Sequence, residues 1–133
     1  MAKKYIVGDW VKFLFEESKV IEVYEDGSYY MDSPNITGCP KEEELSPIPL
    51  TPEILEKNGW KLHKHHKRDS YDDVSWSSYH KPAETNISLR LYPEEKAFFP
   101  FLYTQEISEK PIRYIHQLQH LLFGLGLNSE MEV

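Results

Sequence analysis

Residues 5–15 alternate around Gly8 and Asp9, with Val11, Phe13 and Phe15 on one face and Trp10, Lys12 and Leu14 on the other. A period of two predicts a strand, and bulky apolar residues on both faces predict one that is buried or closed into a barrel. Glu16, Glu17 and Ser18 read as a polar turn. Residues 19–24, rich in the β-branched Val20, Ile21 and Val23, read as a second strand and residues 28–31 as a third. Between them Asp26-Gly27 tolerates positive φ and supplies a hairpin signal. Residues 32–44 form a loop, and 45–50 are short and extended because Pro47 and Pro49 forbid helix and limit ladder pairing.

The pattern then changes. Thr51 is placed to cap a short helix, Pro52 to occupy its first position, Glu53 to favour its positive end and Gly59 to close it in a left-handed conformation, with Trp60 folding back onto Leu55. Four strands follow, at 60–66, 74–80, 86–92 and 98–104. In the third, Ile87, Leu89 and Leu91 face one way and Ser88 and Arg90 the other. Pro93, Glu94, Glu95 and Lys96 read as the hairpin loop joining the last two strands. A final amphipathic helix runs from about 109 to the Gly124 and Gly126 stop, leaving a tail that adds a short strand.

On a helical wheel Tyr114, Ile115, Leu118, Leu121, Leu122 and Leu125 gather on one arc, with His116 and His120 on the other side beside Arg113, Gln117 and Gly124. The expectation is an apolar arc packed on the second sheet and two histidines facing water. Two histidines four residues apart also match a zinc-ligand spacing. The metalloprotease pattern needs a glutamate after the first histidine to take a proton from metal-bound water, and that position is Gln117. His116 and His120 are therefore metal candidates without a base or a third ligand.

Composition narrows the choices. Apolar residues make up 40% of the 133 positions and aromatics 14%, which supports a packed interior over a disordered chain. A net charge of −7 disfavours a broad nucleic-acid or membrane surface. The local exception is 61–68, where Lys61, Lys64, Lys67 and Arg68 surround His63, His65 and His66. This tract reads as a solvated strand or loop, as an anion or phosphate contact through its four cations, or as a metal tract in which His63 and His65 share a strand face. The one cysteine, Cys39, excludes an internal disulfide and a cysteine-based zinc cluster, and has no visible base to activate it. Asp69, Asp72 and Asp73 are candidates for an acid–base dyad with a histidine, but nothing in the sequence sets them in a cleft, and the adjacent Asp72 and Asp73 face opposite ways on a strand. Ser75, Ser77 and Ser78 lack the glycine-flanked nucleophile elbow. The N-terminal residues carry no apolar leader and no stretch is long enough to span a membrane, so the expectation is a cytoplasmic protein needing no cofactor. The Asn35 and Asn86 glycosylation triplets are then chance matches.

Two resemblances add to this. Val7-Gly8-Asp9-Trp10-Val11, the 20–24 strand and the Asp26-Gly27 turn resemble SH3-like small barrels, some of which bind peptides or nucleic acid. Three blocks, Gly8-Asp9-Trp10-Val11, Pro47-Ile48-Pro49-Leu50-Thr51-Pro52-Glu53-Ile54-Leu55-Glu56-Lys57-Asn58-Gly59 and Tyr114-Ile115-His116-Gln117-Leu118-Gln119-His120, look like a set of uncharacterised short proteins of phages and mobile elements from Bacteroides-type gut bacteria. That resemblance implies a bacterial cytoplasmic protein and transfers no catalytic residue.

The resulting expectation is an α+β protein. An SH3-like barrel lobe spans 1–50, and a capped helix and antiparallel sheet, packed by the C-terminal helix, span 51–133. The expected function is a non-enzymatic interaction module with a protein partner. The alternatives are nucleic-acid binding through the barrel loops and the 61–68 tract, and a metal-dependent hydrolase using His116 and His120.

Overall fold

The computed structural model describes residues 4–67, 75–82, 84–103, 105–107 and 110–133. Along them run β1 (Trp10–Phe13), β2 (Glu16–Val23), β3 (Tyr29–Met31), β4 (Leu45–Pro47), α1 (Pro52–Lys57), β5 (Lys61–His66), β6 (Trp76–Lys81), β7 (Glu84–Tyr92), β8 (Ala97–Leu102), β9 (Gln105–Glu106) and α2 (Ile115–Gly124). The fold is α+β. Its strands form a four-stranded sheet in the order β3-β2-β1-β4 and a five-stranded sheet in the order β5-β6-β7-β8-β9, both antiparallel. Two compact units result, Met1–Pro49 with Tyr114–Val133, and Leu50–Arg113. The C-terminal helix therefore belongs with the first sheet, not with the second as its place in the chain suggested.

In the first unit, Tyr5, Val11, Val20, Tyr29, Met31, Ile36 and Leu45 form the core, with Phe13 and Val23 packed against it. The sheet is open, with β3 and β4 at its edges, and among the described residues no ladder joins those edges into the SH3-like closure expected from sequence. The polar stretch 16–18 is not a turn but the start of β2. The reversal falls at Leu14-Phe15, because Phe13 pairs with Glu16 and Leu14 takes a φ of 55°. Two-residue hairpins need that left-handed backbone and usually advertise it with Gly or Asn, a signal absent here. The Asp26-Gly27 turn forms as expected, with Gly27 at φ 89° and the Asp26 carboxylate accepting from the Ser28 amide.

α2 starts at Ile115, later than the expected start at about 109, because the segment before it is extended. Ile112 pairs with Phe98 and Tyr114 with Pro49, and those ladder bonds hold the backbone out of helix. The Gln117 side chain accepts from the Tyr114 amide at the helix start. At the other end Gly126 adopts φ 74° and the Leu127 amide reaches the Leu122 carbonyl. The tail beyond it forms no strand; Met131 is buried and its carbonyl accepts the Trp10 indole N–H at 2.6 Å.

The second unit begins with α1, built as its punctuation predicted. Thr51 Oγ1 accepts from the Ile54 amide, Gly59 takes φ 89°, and the Trp60 amide closes onto the Leu55 carbonyl. The meander β5–β9 alternates through β6, β7 and β8, with register shifts in β5 and at the end of β6. Tyr79, Ile87, Leu89, Phe98 and Pro100 are buried on one face, and Trp76, Ser78, His80, Ser88, Arg90, Tyr92, Phe99 and Phe101 remain half-exposed on the other. Leu50, Leu55, Trp60, Ala97 and Ile112 are also buried in this unit. One sheet face is thus committed to the interior while the opposite face stays open to solvent.

Candidate functional site

The sequence pointed to two places, and they lie in different units. In the first, the structure overturns the expectation that His116 faces water, while His120 keeps a side chain 35% exposed and turns it towards Asp9. His116 is 5% exposed and Gln119 3%, and both lie on the buried side of α2 with Ile115, Leu118 and Leu122. The physical reason is polar. The turn at Gly8-Asp9-Trp10 presents backbone groups that its own sheet does not satisfy, and α2 satisfies them. Gln119 Oε1 accepts from the Trp10 amide at 3.0 Å, while its Nε2 donates to the Gly8 carbonyl at 2.7 Å and the Ser129 carbonyl at 3.2 Å. His120 Nε2 lies 2.6 Å from Asp9 Oδ2, which also accepts the Ile6 amide. Burial raises the Asp9 carboxyl above the usual carboxylate range, against the opposing pull of the Ile6 amide and His120.

His116 packs edge-on against Tyr5 and His120 and flat against Tyr114. Its Nδ1 is buried with no hydrogen-bond partner, and burial, with His120 and Lys4 nearby, lowers its pKa to about 4. The two histidines therefore do separate jobs: one is a neutral core ring, the other a ligand to a carboxylate. Among the described residues no group of three or more His, Cys, Asp or Glu is placed to hold a metal ion. A cavity of about 660 Å³ beside this turn is walled by Ile6, Val7, Val23 and Phe123; of its polar residues Asp9 and Gln119 are already bonded, while the Tyr5 hydroxyl is buried without a hydrogen-bond partner among the described residues.

In the second unit the basic tract lies on β5, with Lys61, Lys64 and Lys67 exposed; Arg68, Asp69, Asp72 and Asp73 fall outside the described residues. His63 and His65 do not share a face. A register shift between Leu62 and Lys64 turns His63 onto His80, with ring centroids 4.7 Å apart, while His65 Nδ1 bonds Ser77 Oγ at 2.8 Å. Ser77 and His80 sit on opposite faces of β6, so the two imidazoles are separated by the sheet.

The residues sequence reasoning missed are beside this tract. Across the open face runs a ladder contributed by β5, β6, β7 and β8: His66 stacks on Trp76 at 5.2 Å, and the Arg90 guanidinium lies 4.0 Å from the Trp76 centroid and 4.4 Å from that of Phe101. Lys64 Nζ adds a second cation 5.6 Å from Trp76. Next to the ladder is a cleft of about 480 Å³ with Ser78 and Ser88 among its lining residues, the His63–His80 pair at its side, and among the described residues no acidic one lining it. Tyr103, which also lines it, is 71% exposed and holds a φ of 57°. Arg90 Nε and His80 Nδ1 are buried there without hydrogen-bond partners. Alternation had already put Ser88 and Arg90 on the polar face of their strand. Placing Trp76 and Phe101 beside them required the strand order.

No family model, curated protein or solved structure matches this chain.

Its own geometry therefore carries the functional reading. Among the described residues no helix is long and apolar enough to cross a membrane. Cys39 is an exposed free thiol, and Ser77, bonded to His65 on the far side of the sheet, is not part of the cleft.

Proposed function

We propose that the protein is a non-enzymatic binding module that captures an anionic partner on the open face of its second sheet. The observation that carries this reading is the Arg90 guanidinium lying over both Trp76 and Phe101 at the edge of a cleft that no carboxylate lines among the described residues. Stacking of this kind fixes a cation's position without neutralising it, so its charge is presented to a ligand. Lys61, Lys64 and Lys67 extend the positive region along β5, against a net charge of −7 for the whole chain. A local field opposite in sign to the overall charge selects and orients an anionic partner. The likeness of the N-terminal strands to SH3-like barrels carries no part of this reading. The accessory role in phages or mobile elements, and the bacterial cytoplasm as its compartment, rest on the three sequence blocks alone.

Chromatography on immobilised heparin tests it. Wild-type protein is expected to be retained at low salt despite its acidic composition, and the double variant Lys64→Glu, Lys67→Glu to pass through, an affinity loss of at least about tenfold. Elution of the variant together with wild type would remove the proposal.

A further inference from the structure

We infer that the ligand of this face is single-stranded nucleic acid, with a base entering the cleft beside the Trp76–Arg90–Phe101 ladder and its phosphates following the lysines of β5. The inference rests on the reading of the open face as a recognition surface and names its partner. An acidic peptide needs only cations. The cleft offers more: planar walls in the indole, guanidinium and imidazole groups, an exposed tyrosine ring in Tyr103, and hydroxyls at Ser78 and Ser88. Planar walls suit a base whose faces are free, and hydroxyls suit the donors and acceptors on its edge. The two orphaned nitrogens match the same need. Arg90 Nε is a donor and His80 Nδ1 a donor or acceptor according to its tautomer, and both are buried at the cleft without a partner.

The lysines fit the phosphates of such a strand. Lys61, Lys64 and Lys67 lie at three-residue intervals on and just past the edge strand β5, all exposed. Lys61 and Lys64 pair with His80 and Ser78 across the bulge and so share the open face, and at about 3.3 Å per residue they stand at most about 10 Å apart, which allows each to meet a separate phosphate of an extended chain. A duplex fails on the same grounds, because its bases are stacked and paired and present no free face to the ladder. The acidic remainder of the protein keeps this contact short, and the affinity should fall with salt on a slope of about −2, as for two or three phosphates on a single strand.

Fluorescence anisotropy with a labelled thymidylate dodecamer and the full-length protein tests this. Binding is expected at low salt with that slope, at least about tenfold tighter than to a duplex of equal length. The exposed-site variants Tyr103→Ala and Lys64→Glu, and the conservative Arg90→Gln, should each weaken it about fivefold or more while circular dichroism stays unchanged. A glutamate dodecamer that binds as well as the thymidylate, with the same dependence on Lys64, would overturn the nucleic-acid inference and leave the anionic-partner reading standing. Thymidylate binding indifferent to all three variants would overturn the inference by moving the site elsewhere. Binding of neither probe would overturn both readings.

Discussion

Replacing Gln119 by leucine is expected to destabilise the protein by about 3–6 kcal/mol, which approaches the whole stability of an average domain. The swap keeps most of the side-chain volume and even favours burial, so hydrophobicity alone would make it neutral. Three backbone groups decide otherwise. The Trp10 amide and the Gly8 and Ser129 carbonyls all bond to this one amide side chain, which is 3% exposed. Leucine leaves each of them unpaired in a part-buried setting behind its own apolar side chain, and the cost of an unsatisfied group there exceeds the net gain of the bond it replaces. Urea unfolding of Gln119→Leu measures it. Glutamate at the same position should also destabilise, since it keeps an acceptor for Trp10 but has no donor for the two carbonyls and stands beside Asp9. A loss below about 1 kcal/mol for leucine would mean that the α2 clip on the Gly8-Asp9-Trp10 turn is not formed as described.

The second large effect is on the pH dependence of stability. His116 has its pKa held down to about 4 by burial, against an ordinary value of about 6.5 in the unfolded chain. Between those values the unfolded chain takes up the proton first. Its contribution to stability is fully present above pH 6.5 and is lost as the pH falls towards 4, by up to about 3 kcal/mol. The groups around it are Tyr5, Tyr114, His120 and Lys4, of which His120 and Lys4 disfavour a second positive charge. Asp9 works in the opposite direction: its raised carboxyl binds a proton before the unfolded chain does, so it offsets part of the loss at the acid end. His116→Phe preserves the ring contacts and removes the titration. The difference between wild-type and variant unfolding free energies should therefore change steadily between pH 6.5 and 4 and be flat above it. Parallel curves for the two proteins across that range would show that His116 is accessible to protons in the folded state.

What the sequence disclosed follows from how local each signal is. α1 was legible down to its caps because Thr51, Pro52 and Gly59 act within one turn of where they stand. Both faces of β7 were legible because alternation is a property of neighbours. The burial of α2 was not. Of its expected apolar arc Ile115, Leu118 and Leu122 are buried while Leu125 is exposed, and Gln119 and His120 are engaged by groups 109 to 111 residues away that nothing adjacent announces. The start of α2 was misplaced for a related reason, because long-range bridges at Ile112 and Tyr114 hold extended a stretch that the sequence read as helix from about 109. At the candidate site the basic tract was visible as a run of charge. Its partners Trp76, Arg90 and Phe101 were scattered over three separate strands and became neighbours only through the sheet register. The bulge at His63 was equally invisible, and it undoes the apparent pairing of His63 with His65.

The most direct test of the account is amide shift mapping by NMR of the labelled full-length protein, titrated at low salt with the thymidylate dodecamer. The account predicts shifts concentrated at Lys64, Trp76, Ser78, Ser88, Arg90, Phe101 and Tyr103, with α2 and the Gly8-Asp9-Trp10 turn unmoved. Shifts centred on His116, His120 and the Asp9 turn, with the open face of the second sheet silent, would contradict it.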